Sequence, residues 1–269
     1  MTWVDFHMHT DASEDSDAPL RSMCDAAVAK GLCAVAVTDH LEMVDYEDYV
    51  GTLVKSWRDS GEAVPAYAGR LRIARGIELG EPLADLKRTE AILDAYDFDF
   101  VLGSQHKLNS LDRETNIDYY FYDYTGKDVG LVKDEYFDAV LELVNWGRFH
   151  ALAHLTYPFR YIPEEKRPAE FSRWPDRIDA ILRQLAVKGL ALEINTSGLR
   201  QPGGTTHPPL SLVRRFRQLG GEFITIGADA HRPEDVGTGL EQAAALAREA
   251  GFTHQAVFFG GKMELLPLE

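Results

Sequence analysis

The chain has 269 residues, of which 43 are acidic and 28 basic, for a formal charge of −15 at pH 7. That balance excludes a protein that tracks a nucleic acid or an anionic membrane along its outside, because phosphates are held by surplus Lys and Arg. With 45% hydrophobic and 10% aromatic residues the chain can build a large core, which excludes a disordered tail.

The opening run Met-Thr-Trp-Val-Asp-Phe-His has neither a basic stretch nor a long apolar segment, so no secretory signal is expected. Apolar runs such as 33–37 fall far short of the roughly 18 residues a membrane span needs. A cytoplasmic protein is the expectation, and Cys24 and Cys33 read as reduced thiols in apolar surroundings.

Residues 3–6 read as a strand. Pro19 then starts a helix with Leu20, Met23, Cys24, Ala27 and Val28 on one face, ended by Gly31. The next strand is 33–37, and further strands are predicted at 72–77, 98–102, 149–153, 190–194 and 223–226. Ile178, Ile181, Leu182 and Leu185 form a helical stripe closed by Gly189, and Leu212, Val213, Phe216 and Leu219 form another before Gly220. A last apolar run, 256–259, either completes or covers the sheet. Strands alternating with helices predict an α/β protein with a parallel sheet or barrel. No linker or repeat breaks the chain, so one domain over 1–269 is expected.

The polar residues fall at the carboxyl ends of these strands. They are His7 and His9, Thr38-Asp39-His40, Glu78, Gly103-Ser104-Gln105-His106, His154, Asn195-Thr196-Ser197-Gly198, and Asp229-Ala230-His231. Barrel enzymes carry their chemistry on that face. Side chains two apart on a strand share a face, which makes His7/His9 and Asp229/His231 chelating pairs. Imidazole together with carboxylate suits zinc, manganese or iron better than calcium or magnesium. With His40, Glu78, His106 and His154 there are eight candidate ligands, more than one four- or five-coordinate ion can use. His150 is excluded from this set, because on a strand it lies about 13 Å from His154 at roughly 3.3 Å per residue.

Through His7-Met8-His9-Thr10, Thr38-Asp39-His40, Gly76-Ile77-Glu78, Gly103-Ser104-Gln105-His106 and Asp229-Ala230-His231 the sequence resembles the polymerase and histidinol phosphatase (PHP) family. Its runs 193–200 and 227–237 are similar to the family's monofunctional histidinol-phosphatase branch. The resemblance implies a distorted seven-stranded (β/α)7 TIM-like barrel and a site for three divalent transition-metal ions (Zn, Mn or Fe). One ion would take His7, His9, Glu78 and Asp229, a second Asp15, His40 and His231, and a third Glu78, His106 and His154. Asp15 enters only by this resemblance, and Glu14 beside it could supply the oxygen instead. The chain departs from many relatives in reading His154-Leu155-Thr156 where they have His-Pro-Asp, which bears on substrate fit.

The implied activity is hydrolysis of L-histidinol phosphate, in histidine biosynthesis, by a metal-activated hydroxide with no nucleophilic Ser or Cys. Arg160 and Arg200 are implied phosphate ligands, since a guanidinium can hold two oxygens at once. His207 is a weaker candidate for substrate contact or for protonating the leaving group. The aromatic run 118–124 reads either as a lid for an imidazole and an ammonium or as a hairpin packed on the rim. Competing readings are a PHP phosphoesterase for another small phosphorylated metabolite or nucleotide, and a catalytically silent metal-binding module. A nuclease is disfavoured by the missing basic track.

Overall fold

Strands and helices alternate along the chain as β1 (Val4–Met8), α1 (Leu20–Ala29), β2 (Ala34–Val37), β3 (His40–Glu42), α2 (Tyr46–Ala66), β4 (Arg72–Gly80), α3 (Leu86–Ala95) and β5 (Phe100–Ser104). A hairpin of β6 (Lys107–Leu108) and β7 (Ile117–Asp118) follows, then α4 (Val129–Trp146), β8 (Ala151–Leu152), α5 (Pro175–Lys188) and β9 (Ala191–Asn195). The chain continues through α6 (Leu210–Gln218), β10 (Ile224–Gly227), α7 (Leu240–Glu249), β11 (His254–Phe259) and β12 (Lys262–Pro267). The structure is a computed structural model and describes residues 3–109, 116–162 and 175–268.

Seven parallel strands run in the order β1-β2-β4-β5-β8-β9-β10, with the short β3 added on β4. The two outer strands approach each other where their polar ends lie. Met8 bridges Ala230, the His9 N–H donates to the Ala230 carbonyl at 2.9 Å, and the Asp229 N–H donates to the His7 carbonyl at 2.8 Å. The sheet is therefore a nearly closed barrel, drawn together at its carboxyl end.

A seven-stranded barrel has a narrow interior, and the sequence fills it accordingly. Alanines at 34, 36, 74, 151, 153 and 191 leave room for Phe6 and Phe100, whose rings meet edge-on at 5.3 Å. The run at 256–259 adds no barrel strand. It pairs antiparallel with β12, and Phe258 stacks on Phe100 at 5.2 Å, so the hairpin covers the barrel's amino end. Outside the barrel the helical stripes bury against the opposite strand faces, as Ile181 and Leu185 of α5 do with Leu192 and Ile194 of β9.

Most strands run further toward the site than their apolar stretches suggest: β1 reaches Met8, β4 reaches Gly80 and β5 reaches Ser104. The polar residues there are still paired in the ladder, because a buried backbone needs its hydrogen bonds whatever side chain it carries. In β1 the register passes from Asp5↔Val35 to Met8↔Val37, three steps against two, which is a bulge. It allows Phe6 to pack in the barrel while the next residue, His7, also reaches inward. Cys24 and Cys33 are both free thiols. Among the described residues, no helix is long and apolar enough to cross a membrane.

Candidate metal centre

The polar strand ends converge. His7 and His9 face each other with Nε2 atoms 3.1 Å apart, and His106 and His154 do the same at 3.3 Å. Glu78, from β4, stands between the pairs: one oxygen is 3.1 Å from His7 Nε2, the other 2.8 Å from His154 Nε2 and 3.1 Å from His106 Nε2. Asp229 lies 3.4 Å from His9 Nε2, and Asp15 lies 2.9 Å from His231 Nε2 and 3.6 Å from His40 Nε2.

These spacings bear on what the residues can hold. Zinc–nitrogen bonds of about 2.05 Å at a tetrahedral angle put two imidazole nitrogens roughly 3.3 Å apart. The two Nε2 pairs have that separation, which is an edge of a coordination shell. Ligand atoms within 4.8 Å of one another group as His7, His9, Asp229; as His9, Asp15, His40, His231; and as Glu78, His106, His154. A further group, His40, Glu42 and His106, brings in an acid that the sequence reading did not single out. His150 is elsewhere: its ring stacks on Phe100 and packs tilted against Phe258 toward the covered end.

Three further acids support the cluster from behind. Glu193 places Oε1 2.6 Å from His7 Nδ1 and accepts the His154 N–H on Oε2 at 2.8 Å. Gly227 makes room for this, since a Cβ there would lie 2.3 Å from His7 Cβ and 2.8 Å from Glu193 Oε1. Asp39 accepts from the Thr10 N–H at 2.6 Å, the Ser13 hydroxyl at 2.8 Å and the Ser56 hydroxyl at 2.6 Å, fixing the loop that carries Asp15. Glu42 accepts from His106 Nδ1 at 2.9 Å. Glu42 and Asp39 flank His40, and Glu193 lies inside an apolar strand. Period-2 alternation with Ala191 and Asn195 was the one signal that could have turned Glu193 inward.

Burial alone would raise Glu78 and Asp229, but His7 and the neighbouring imidazoles outweigh it and hold both well below the usual carboxylate range. Burial would lower His7, yet Glu193, Glu78 and Asp229 push it up. His9 is lowered to about 4 by burial and then by His231 and His40. An anionic field that favours a cation on this spot draws a divalent ion for the same reason.

Above the cluster opens a cavity of about 370 Å³, lined by Asp15, His40, Glu78, His154, Asp229 and His231 together with Arg160, Tyr157, Tyr161, Tyr120 and Phe121. Arg160 reaches Asp229 at 3.9 Å with its guanidinium 4.8 Å over the Tyr157 ring, so it faces the cluster. Arg200 and His207 do not line this cavity. The Arg200 guanidinium donates to the carbonyls of Ala228 and Asp229 at 2.9 and 3.1 Å and pairs with Asp235, bracing a turn in which Asp229 adopts φ 53. His207 Nδ1 bonds the Thr156 hydroxyl at 2.8 Å behind the cavity wall. In the aromatic run, Tyr119, Tyr122 and Tyr124 are buried, whereas Tyr120 and Phe121 are exposed at the cavity mouth. The run thus packs on the rim through three rings and presents two to the cavity.

The model of the PHP domain family matches residues 5–197. The chain is 29% identical over 266 residues to the histidinol-phosphatase of Lactococcus lactis, covering 98% of this chain and 97% of that protein. It is 29% identical over 260 residues to the Deinococcus radiodurans protein named "Probable histidinol-phosphatase", covering 92% of this chain and 93% of the other. Its fold matches the crystal structure of the L. lactis histidinol phosphate phosphatase complexed with zinc, L-histidinol and phosphate. The TM-score is 0.84 at 28% identity, over 97% of this chain and 98% of that one.

Proposed function

The chain belongs to the PHP domain family, and on that premise we propose that it is a metal-dependent phosphomonoesterase that hydrolyses L-histidinol phosphate to L-histidinol and phosphate, a step of histidine biosynthesis. The observation that carries the reading is the convergence of six histidines and three acids under a cavity that Arg160 also lines. The likeness to histidinol-phosphatases over nearly the whole chain supports the substrate.

Three divalent ions, zinc, manganese or iron, would be held by His7, His9, Glu78 and Asp229, by Asp15, His40 and His231, and by Glu78, His106 and His154. Bound divalent ions lower the pKa of water to supply a nucleophile at neutral pH and neutralise charge on phosphoryl oxygens. The protein's own residues do the rest. Glu78 joins two of the ligand sets, and Glu193 fixes the ring of His7 so that Nε2 faces the cluster. Arg160, beside Asp229 in the cavity lining, binds the phosphate, where its planar guanidinium can meet two oxygens. Arg200 acts on the site through the turn it braces beneath Asp229. Tyr120, Tyr157 and Tyr161 offer faces to an imidazole, and Asp118 at the same wall offers a carboxylate to an ammonium.

The test is release of inorganic phosphate from L-histidinol phosphate by the purified protein. Release is expected to vanish on chelation, return with added Zn2+ or Mn2+, and be absent in His7→Ala. A metal-replete protein that leaves L-histidinol phosphate intact and turns over another phosphomonoester would transfer the reading to that substrate.

A further inference from the structure

One buried acid outside the expected ligand sets touches two of them. Glu42 ends β3, the strand that His40 begins, and β3 lies on β4 with His40 opposite Glu78 and Glu42 opposite Gly80. Residues two apart on a strand share a face, so the histidine and the acid project together. Glu42 Oε1 accepts from His106 Nδ1 at 2.9 Å and lies within ion-pair range of His40 Nδ1 at 3.3 Å, a contact that Glu78 shares at 3.2 Å. A single oxygen therefore contacts the ring of a residue from the Asp15/His40/His231 set and the ring of a residue from the Glu78/His106/His154 set.

The seat for this carboxylate is built by an absent side chain. A Cβ at Gly80 would lie 2.0 Å from Glu42 Oε2 and 2.7 Å from Oε1. Gly80 is not among the positive-φ glycines, so its backbone does not call for glycine. What calls for it is the space that Glu42 occupies. The next residue, Glu81, accepts the backbone N–H groups of His106 and Lys107 at 2.6 and 2.9 Å, so His106 is held at its main chain by one acid and at its ring by another.

We propose that Glu42, seated on Gly80, is a positioning residue that orients His40 and His106 together and thereby couples ion binding at their two positions. At His106 an acceptor at Nδ1 fixes the proton there and leaves Nε2 free as a ligand atom, the usual way an outer carboxylate orients a metal-bound histidine, and at His40 the same carboxylate acts by charge at 3.3 Å. Because one oxygen bonds the His106 ring and contacts the His40 ring, displacing it weakens both positions at once, while the His7/His9/Asp229 set keeps its own support from Glu193.

The inference rests on the metal reading above, and the test separates the two. The metal-free full chain is titrated with Zn2+ against a chromophoric chelator, as wild type, Glu42→Ala and Gly80→Ala, with melting of each metal-free protein measured alongside. Gly80→Ala keeps the Glu42 charge and moves only its place. The expected result is that two binding steps weaken together by about 10- to 100-fold in both variants, with the remaining step and the metal-free melting unchanged. Glu42→Gln, whose amide oxygen can still accept, should recover part of the loss. Wild-type affinity at every step, a loss confined to one step, or lowered metal-free melting with unchanged steps would each overturn the coupling. If wild type itself binds no Zn2+, the metal reading falls, and this inference with it.

Discussion

Glu193 Oε1 lies 2.6 Å from Nδ1 of His7, although the two residues are 186 positions apart in the chain, and both side chains are buried. The other oxygen of the same carboxylate takes the backbone N–H of His154. One acid on β9 thus fixes the ring of one candidate ligand and the backbone of another. Removing it in Glu193→Ala is expected to lower Zn2+ affinity by about 10- to 100-fold and to reduce kcat more than it raises KM. Metal analysis after dialysis, beside steady-state kinetics in saturating Zn2+, would check this, and undiminished zinc retention would remove Glu193 from that role.

Arg160 packs its guanidinium on Tyr157 and lies 3.9 Å from Asp229 in the lining of the cavity. A charged hydrogen bond to phosphate contributes about 1.5–3 kcal/mol, so Arg160→Ala should cost roughly 10- to 100-fold in kcat/KM for L-histidinol phosphate. Arg160→Lys should recover little, because a lysine cannot reproduce the two-oxygen contact. Full recovery by lysine would mean that charge alone suffices.

Asp39 gathers the Thr10 backbone and the Ser13 and Ser56 hydroxyls while touching no proposed ion. Its loss strands several buried donors, so Asp39→Ala should destabilise the metal-free protein by on the order of 3 kcal/mol in urea denaturation. An unchanged denaturation midpoint would contradict this view of the loop.

His150 gives a pH dependence away from the cluster. Burial lowers its pKa, against a smaller opposing pull from Asp99, while Nδ1 accepts the Val101 N–H at 2.9 Å. The folded protein therefore binds this proton less readily than the unfolded chain, where histidine titrates near about 6.5. Stability from the neutral ring is complete above that value and is lost as pH falls toward the folded pKa. The stability advantage of wild type over His150→Asn should accordingly shrink from pH 7.5 to 5.5. A constant difference across that range would show that His150 does not titrate on unfolding.

The local sequence determined a good deal. Alternating apolar runs and helical stripes mark the seven barrel strands within one to three residues at most ends, and the polar residues following them include eight of the nine candidate ligands, Asp15 entering only through the family resemblance. Those patterns have short periods, and a strand's facing is set by its neighbours along the chain.

Tertiary structure decided what distance in sequence conceals. Glu193 sits in an apolar strand and becomes a partner of His7 only because the barrel brings β9 round toward β1. Glu42 carries no motif signal in the sequence, and it meets His106 because β3 adds to β4 and Gly80 leaves a seat for its carboxylate. Arg200 donates through Nη2 to the Ala228 and Asp229 carbonyls, partners that its residue type and place in the sequence do not specify. A side chain's type fixes what it can bind, whereas its partner is fixed by which groups reach it when the chain closes, and only the folded barrel supplies that.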